Sequence, residues 1–257
     1  MKLLRSLAVA FSMYSRIPMP QVKWDKDSTR WAMAAFPLVG AALGLLFWGW
    51  GELALRLGLG ALLTALGMLL LPLLITGGIH LDGFCDTVDA LSSHAPREKK
   101  LEILSDPHIG AFAAMGLVGY LLSWLVLCTE IDWSRPSLLV MALAFVTSRC
   151  LSALAVVHFP SAKKSGTART FADAAAKRPV TVMLVVLLAL SAAGMLMAEL
   201  WAGLAVLLLS GVVFAVYASV SRRQFGGITG DLAGWFLSLC EIFSLVGILL
   251  IQVVVGA

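Results

Sequence analysis

Long apolar segments, separated by short polar connections, follow one another along almost the whole chain. Seven of them reach the roughly 18–25 residues that an α-helix needs to cross a bilayer; they cover residues 31–50, 57–76, 109–129, 137–158, 180–198, 200–220 and 232–255. The second segment and the junction between the fifth and the sixth are the least clearly marked. The pattern predicts an all-α fold, a polytopic transmembrane helix bundle with about seven spans.

Two shorter segments carry apolar residues among charges. Residues 7–13 follow Lys2 and Arg5 and end before Arg16 and two prolines, without a small-residue cleavage site. We expect an uncleaved interfacial N-terminal helix there, and a weak signal sequence is the alternative. Residues 97–104 predict a short amphipathic helix on the cytoplasmic membrane surface. No polar stretch approaches the roughly 50 residues of a small soluble domain, so residues 1–257 are expected to form a single integral-membrane domain.

Composition and charge support this class and add an orientation. Hydrophobic residues make up 60% of the chain and charged residues 13%, against about 45–50% and 25% in soluble proteins. Sixteen of the 19 Lys and Arg residues fall in alternate connections, which predicts a multi-pass membrane protein with its N-terminus in the cytoplasm and its C-terminus outside. The positive charge is scattered among short loops, so the lipid bilayer is an expected partner and nucleic acid is not.

Three carboxylates directly follow the second apolar segment. In a helix, Asp82, Asp86 and Asp89 (i, i+4, i+7) lie within one narrow stripe, since each residue turns by about 100°. Such a row is tolerable in water or around a cation, and a hard divalent ion with oxygen ligands is the simplest candidate. The spacing therefore predicts a metal site at the cytoplasmic face.

Three more polar residues on the same predicted face extend the candidate site. Asp106 stands at Ser105-Asp106-Pro107, where Pro107 can stop one helix and open the next, so Asp106 is either an N-cap or a further metal ligand. Asp231 precedes the last apolar segment and either holds metal or caps the helix. His80 lies beside the first carboxylates and is a candidate proton acceptor, with a structural histidine as the alternative.

Glycines and basic residues on that face are candidate phosphate ligands. Glycine lets the backbone approach a phosphate, and the free N–H groups at a helix start favour an anion; the candidates in the loop before the last segment are Gly226, Gly227, Thr229 and Gly230. Arg149 lies inside a span, where charge is costly, and is predicted to bind phosphate or pair with an Asp, with snorkelling as the alternative. The predicted loop with Lys163, Lys164 and Arg169 either clamps phosphate or is simply solvated.

At these residues the sequence resembles the cobalamin synthase family, the adenosylcobinamide-GDP ribazoletransferases. The family pattern Gly-Gly-x-His-x-Asp-Gly-x-x-Asp-Thr-x-Asp-Gly appears here from Gly77 to Ala90. Further ordered matches are Ser15-Arg16-Ile17-Pro18-Met19-Pro20, Phe36-Pro37-Leu38-Val39-Gly40-Ala41, Leu101-Glu102-Ile103-Leu104-Ser105-Asp106 with Ile109-Gly110, and Gly226-Gly227-Ile228-Thr229-Gly230-Asp231. Two positions depart from the pattern, with Ala90 in place of a usual Gly and His108 in place of a common Arg.

The resemblance implies the last step of cobalamin nucleotide-loop assembly. Adenosylcobinamide-GDP would react with α-ribazole, or its 5′-phosphate, to give adenosylcobalamin, or its phosphate, and GMP, with Mg²⁺ required. Asp82, Asp86 and Asp89 match the acidic motif, and Asp106 and Asp231 match later acids; Asp82, Asp86 and His80 are the expected catalytic residues. A homo-oligomer and the other enzymes of nucleotide-loop assembly are further partners that the sequence leaves open.

Two other functions compete with this one. CDP-alcohol phosphatidyltransferases also place several Asp residues at helical spacing, but their Ala-Arg pair and longer acid spacing are absent here. A cation transporter could use the acidic stripe as its binding site, yet transport sites usually lie near the middle of the membrane. Here the spacing puts the acids at one end of a span.

Overall fold

Helices make up most of the chain in the computed structural model, which describes residues 2–255. In chain order the α-helices are α1 (Lys2–Tyr14), α2 (Lys26–Thr29), α3 (Ala32–Leu57), α4 (Ala61–Thr76), α5 (Ile79–Ser92), α6 (Arg97–Ile103), α7 (Ala111–Glu130), α8 (Arg135–His158), α9 (Thr167–Ala174), α10 (Lys177–Ala198), α11 (Leu200–Val220) and α12 (Gly230–Val255). A π-helical turn, Ser221–Phe225, continues α11. The described residues contain no strand, only an isolated parallel bridge between Ser161 and Ile228. The all-α prediction is confirmed.

Within residues 2–255, six helices are long and apolar enough to cross a membrane: α3, α7, α8, α10, α11 and α12. The seventh candidate is a bent pair, because α4 has only 16 residues and meets α5 at an angle of 92°. The predicted count of about seven spans agrees with six straight crossings and one bent pair. The predicted break between the fifth and sixth spans is also confirmed, since α10 ends at Ala198 and α11 begins at Leu200.

The boundary between the first and second predicted spans was wrong. Residue 57 was assigned to the second span, but α3 continues to Leu57 and α4 begins at Ala61. Gly58 ends α3 in the left-handed region (φ 61°), with its N–H directed to the carbonyls of Ala54 and Leu55. A residue without a Cβ adopts this conformation without strain. The apolar character of the flanking residues conceals this turn from a hydropathy pattern.

The centre of the bundle is the pair formed by α3 and α8. Of the most apolar part of α8, 78% is buried, against 22% for α7 and α10, so α8 is central and the other two face outward. Close approach depends on Gly40 and Gly44, where a Cβ would lie 2.5 Å from the Phe145 carbonyl oxygen and 2.4 Å from that of Ala142. Small residues at such positions allow helix backbones to pack tightly in lipid.

Most of the basic connections predicted for one side meet at one end of the bundle, which we call the α5 end. The Arg16 amide donates to the Ile75 carbonyl (2.7 Å), and the Ala176 amide donates to that of Arg30 (3.3 Å). The Ala162 amide donates to the Ile228 carbonyl (2.9 Å). At the opposite end, Arg135 and Arg56 pair with Glu52. The segregation of charge read from the sequence therefore has a counterpart in space.

We expect Gly44→Val to destabilise the bundle, because the new side chain would collide with the α8 backbone, which cannot move aside as a flexible side chain can. Overpacking costs about 1–3 kcal/mol, and we expect a value at the upper end of that range. The matched control is Gly49→Val on the same helix, where a Cβ meets nothing within 4 Å. Thermal unfolding of both full-length variants in detergent measures the difference; equal midpoints would contradict the packing argument.

Candidate active site

Two consecutive glycines create the corner from which the acidic helix starts. Gly77 (φ 65°) and Gly78 (φ 79°) are both left-handed, a conformation that residues with a Cβ rarely adopt. They let the chain turn from α4 into α5, which begins at Ile79. Predicted acids Asp82, Asp86 and Asp89 all lie on this one helix, as their spacing required.

A backbone contact brings a further carboxylate to α5. Gly83 lies directly against the first turn of α12, where a Cβ would come within 2.7 Å of the Asp231 carbonyl oxygen. This contact holds Asp82 and Asp86 near the Asp231 carboxylate, although the residues are distant in sequence. We call Asp82, Asp86 and Asp231 the carboxylate cluster.

The electrostatics of Asp86 reflect this crowding. Asp86 lies on α5, outside the six straight spans, and is half-buried. Partial burial, together with the charges of Asp82 and Asp231, raises the pKa of Asp86 to about 6, while Lys163 acts in the opposite direction. The Lys163 ammonium lies 3.3 Å from the Asp231 carboxylate. One nearby cation thus offsets three acids only in part, and the cluster favours additional positive charge.

Asp89, the third acid of the stripe, is engaged elsewhere. Its two carboxylate oxygens accept hydrogen bonds from the backbone amides of Gly110 (2.6 Å) and Ala113 (2.8 Å). These amides belong to the start of α7, where free N–H groups need acceptors and a negative charge is favourable. Asp89 therefore caps α7 from outside that helix, a role that its spacing in α5 did not reveal.

Asp106 lies in the connection between α6 and α7, with its side chain 55% exposed. It accepts a hydrogen bond from the His108 amide (3.0 Å) and contacts the His108 ring at 2.7 Å. The predicted alternative that Asp106 is the N-cap of the next helix was wrong, because α7 begins only at Ala111 and Gly110 holds the N-cap position. For the same reason Pro107 does not open the next helix.

Three cavities surround the carboxylate cluster. An enclosed cavity with about 680 Å³ of empty space lies between α1, α3, α5, α8 and α12, and Asp82 and Asp231 line one side of it. An open groove of about 1360 Å³ lies across α5 and is lined by Asp82, Asp86 and Asp106. A basic pocket of about 450 Å³ adjoins the enclosed cavity and is lined by Lys163, Arg169 and Asp231. Asp82 borders both the enclosed cavity and the open groove.

The donor set is chemically suited to magnesium, but it is not a complete cage. Among residues 2–255, no three His, Cys, Asp or Glu side chains converge closely enough to hold a metal ion by themselves. Mg²⁺ is usually bound through one or two carboxylates, several waters and substrate phosphates. Asp82 and Asp86, both facing the open groove, can supply that share of the ligands.

The glycine-rich loop before α12 divides into two parts. A Cβ on Gly227 would lie 2.4 Å from the Pro160 carbonyl oxygen, and Gly226 is left-handed and packs against the Arg97 guanidinium. These two glycines thus serve contacts within the protein. Gly230 and Thr229 line the basic pocket, and the Thr229 hydroxyl accepts a hydrogen bond from the Leu232 amide (3.1 Å). Only this second part adjoins a cavity that a phosphate could enter.

The basic segment predicted as a loop is partly helical, since α9 begins at Thr167 and includes Arg169. Lys163 bridges two elements, contacting the Leu104 carbonyl (3.2 Å) and Asp231. Arg169 pairs with Asp173 (2.6 Å) and still lines the basic pocket. Lys164 is exposed. The structure therefore brings Lys163 and Arg169 to the site and leaves Lys164 in solvent.

Arg149 is fully enclosed, with its side chain 1% exposed, so it does not snorkel to the membrane surface. Its partner is Glu241 on α12 and not an Asp, and the guanidinium also donates to the Ser148 hydroxyl (3.1 Å). Glu241 was missed by sequence reasoning. The signal was a single acid inside the last apolar segment, which, like Arg149, needs a buried counter-charge.

His80 lies at the start of α5 and is only 7% exposed. It lines the enclosed cavity, and its Nε2 has no hydrogen-bond partner among the described residues. Buried polar atoms are normally paired. An unpaired nitrogen beside Asp82 in a cavity is an atom that a bound molecule can satisfy.

Taken together, the helices and the carboxylate cluster define a polytopic membrane protein with an acidic, phosphate-compatible site at one end of its bundle. The model of the cobalamin-5-phosphate synthase family matches residues 6–249. An adenosylcobinamide-GDP ribazoletransferase from Lachnoclostridium phytofermentans is 43% identical over 95% of this chain and 93% of its own length. Proteins of the same name from Desulfitobacterium hafniense and Clostridium botulinum are 33% and 29% identical, each over 95% of this chain and 96% of its own.

The chain belongs to the cobalamin-5-phosphate synthase family and is a transferase. This membership separates it from the CDP-alcohol phosphatidyltransferases and decides against the cation transporter. No solved structure matches the chain.

Asp89→Ala is expected to lower the stability of the protein by about 1–2 kcal/mol, the usual cost of losing a helix cap. The loss should appear with and without Mg²⁺, because the amides of α7 lose their acceptor in either case. Asp82→Ala is the matched control on the same helix and should not destabilise, since it relieves repulsion. Thermal unfolding of the two variants tests this. If the unfolding midpoint of Asp89→Ala equals that of the wild type, Asp89 does not stabilise the protein as a cap of α7.

A further prediction concerns the buried ion pair between Arg149 and Glu241. Arg149→Met or Glu241→Met alone leaves an uncompensated charge inside the bundle and should cost about 3–5 kcal/mol. The double variant removes both charges and should recover most of that loss. Expression level and thermal midpoint of the three variants form a double-mutant cycle. Additive losses would show that the two side chains do not act as a pair.

Proposed function

We propose that the protein joins adenosylcobinamide-GDP and α-ribazole, or α-ribazole 5′-phosphate, to give adenosylcobalamin, or its 5′-phosphate, and GMP. A ribose hydroxyl oxygen of the ribazole attacks the phosphorus attached to the cobinamide. The new oxygen–phosphorus bond forms as the bond to the GMP phosphate breaks. The observation that carries the proposal is the chain-long match to relatives that bear this enzyme's name.

The position of Asp82 supports a transfer at this site. Phosphoryl transfer places the attacking and leaving oxygens roughly in line, on opposite sides of the phosphorus. Asp82 lines both the enclosed cavity and the open groove. A phosphorus beside Asp82 can therefore be reached from one cavity while its leaving group extends into the other.

Asp82 and Asp86 are the residues we assign to Mg²⁺, with Asp231 beside them. When bound, the ion would neutralise charge on the diphosphate and on the departing GMP. Asp106 also lines the groove and would be available to the substrate. Asp89 is not included in this assignment, because both of its carboxylate oxygens already accept hydrogen bonds from backbone amides at the start of α7.

The chain's own cations and amides bind phosphate oxygens of the substrates in this proposal. Lys163 and Arg169 line the basic pocket, and the backbone of Gly230 opens the first turn of α12 beside them. Arg149 does not take part directly, since it is buried against Glu241. His80 Nε2, unpaired in the enclosed cavity, is the proposed acceptor of the hydroxyl proton.

The distribution of basic residues also bears on the orientation of the protein in its membrane. Lys and Arg are concentrated in the connections at the α5 end, and positively charged loops face the cytoplasm in membrane proteins. We infer that the site faces the cytoplasm of a bacterial inner membrane, where nucleotide substrates are available, with the N-terminus inside and the C-terminus outside.

Asp82→Asn should lose nearly all turnover and remain folded, because the substitution removes a charge and keeps the shape of the side chain. The measurement is GMP release from adenosylcobinamide-GDP and α-ribazole by purified full-length protein, with Mg²⁺ and with the metal removed by a chelator. Wild type should be active only with Mg²⁺.

The control for Asp82→Asn is Asp173→Asn, which removes an exposed acid that pairs with Arg169 outside the carboxylate cluster. That variant should retain most of the activity. Near-normal GMP release by Asp82→Asn would take Asp82 out of the reaction, and absence of GMP release by wild type with Mg²⁺ would refute the proposed function itself.

A further inference from the structure

The enclosed cavity has a composition unlike that of the other two. Its inner wall is formed by apolar and aromatic side chains, including Met13, Tyr14, Met33, Phe36 and Val156. The rings of Tyr14 and Phe36 lie 4.2 Å apart, and each lies about 6 Å from the His80 ring. Only the side nearest α5 and the start of α12 carries acids. The cavity is thus apolar at one end and polar at the other.

We propose that this cavity binds the acceptor nucleoside, with its aromatic base against Tyr14, Phe36 and Met33 and its ribose at the Asp82 side. The inference rests on the proposed function and specifies where one of its two substrates lies. α-Ribazole is a ribonucleoside of dimethylbenzimidazole, a flat bicyclic base with almost no hydrogen-bonding groups. Planar apolar rings favour aromatic contacts of the kind that this wall offers.

The unpaired Nε2 of His80 is an independent sign that a polar group of a ligand enters the cavity. His80 is 7% exposed, lines this cavity near Tyr14 and Phe36, and precedes Asp82 by two residues on α5. A ribose hydroxyl placed there donates its hydrogen bond to Nε2 and removes the cost of an unsatisfied buried atom. The same hydroxyl oxygen then faces the phosphorus beside Asp82.

Size and access assign the other substrate to the opposite side of α5. The open groove is the larger of the two and the more open to the surface. A corrinoid carries a macrocycle with many amide side chains, which is far bulkier than a nucleoside and is polar at its rim. The groove is therefore the better match for such a molecule, and the smaller cavity lined by α1, α3, α8 and α9 is the better match for a nucleoside.

The adjoining basic pocket adds a distinction between the two forms of the acceptor. Thr167, Ala168, Gly230 and Asp231 line both this pocket and the enclosed cavity. A nucleoside in the enclosed cavity can therefore extend a 5′-phosphate toward Lys163 and Arg169. The base is held in the same way in both forms.

Val156→Phe tests the assignment, because Val156 lines the enclosed cavity from α8 and is not a member of the carboxylate cluster. The KM for α-ribazole should rise roughly 10-fold or more, the scale on which apolar pockets discriminate by size, while the KM for adenosylcobinamide-GDP stays unchanged. The matched control is Val185→Phe, on the outward face of α10, where Val185 is 49% exposed. It should change neither constant.

A second measurement uses the wild-type enzyme and does not depend on the variant folding. Free 5,6-dimethylbenzimidazole should inhibit competitively against α-ribazole and not against adenosylcobinamide-GDP. Competition against the corrinoid substrate, or a Val156→Phe effect confined to its KM, would overturn the assignment and leave the proposed function standing. A wild-type enzyme that releases no GMP from the two substrates would instead overturn the proposed function.

Discussion

Contact between the backbones of α5 and α12 at Gly83 is the constraint on which the site depends. Asp82, Asp86 and Asp231 repel one another, and nothing in their own chemistry would gather them. The absence of a side chain at Gly83 lets the start of α12 lie against α5, and packing over both helices outweighs the repulsion. Partial burial and the charges of Asp82 and Asp231 raise the pKa of Asp86, so this arrangement favours a nearby positive charge.

The rest of the bundle holds these two helices in place. Asp89 fastens α5 to the start of α7 through two amides. Lys163 connects the α6–α7 segment to Asp231. Deeper in the bundle, the Arg149–Glu241 pair links α8 to α12, and a buried ion pair without its partner is costly. Some acidic and basic residues thus stabilise the packing of the helices, whereas others face the cavities, although the sequence alone does not distinguish the two groups.

The arrangement of cavities follows from the corner at Gly77 and Gly78. Because α5 turns 92° away from α4, it presents one side to the interior of the bundle and the other to the surface. The interior side meets aromatic residues of α1 and α3, and the surface side meets the loop that carries Asp106. A single helix therefore lies between a cavity with an aromatic wall and a groove lined by three acids, with Asp82 at their boundary.

The sequence by itself determined the helical membrane class, nearly all of the spans and the stripe of acids, because hydropathy and helical spacing are local properties of the chain. It also carried the family motifs that the chain-long matches confirm. Which acids face a cavity, which one caps α7, and where Arg149 finds its counter-charge were decided by the tertiary structure alone. These are contacts between residues more than 20 positions apart. They depend on helices that pack closely at glycines, and in the sequence such a glycine looks the same as one that ends a helix, such as Gly58.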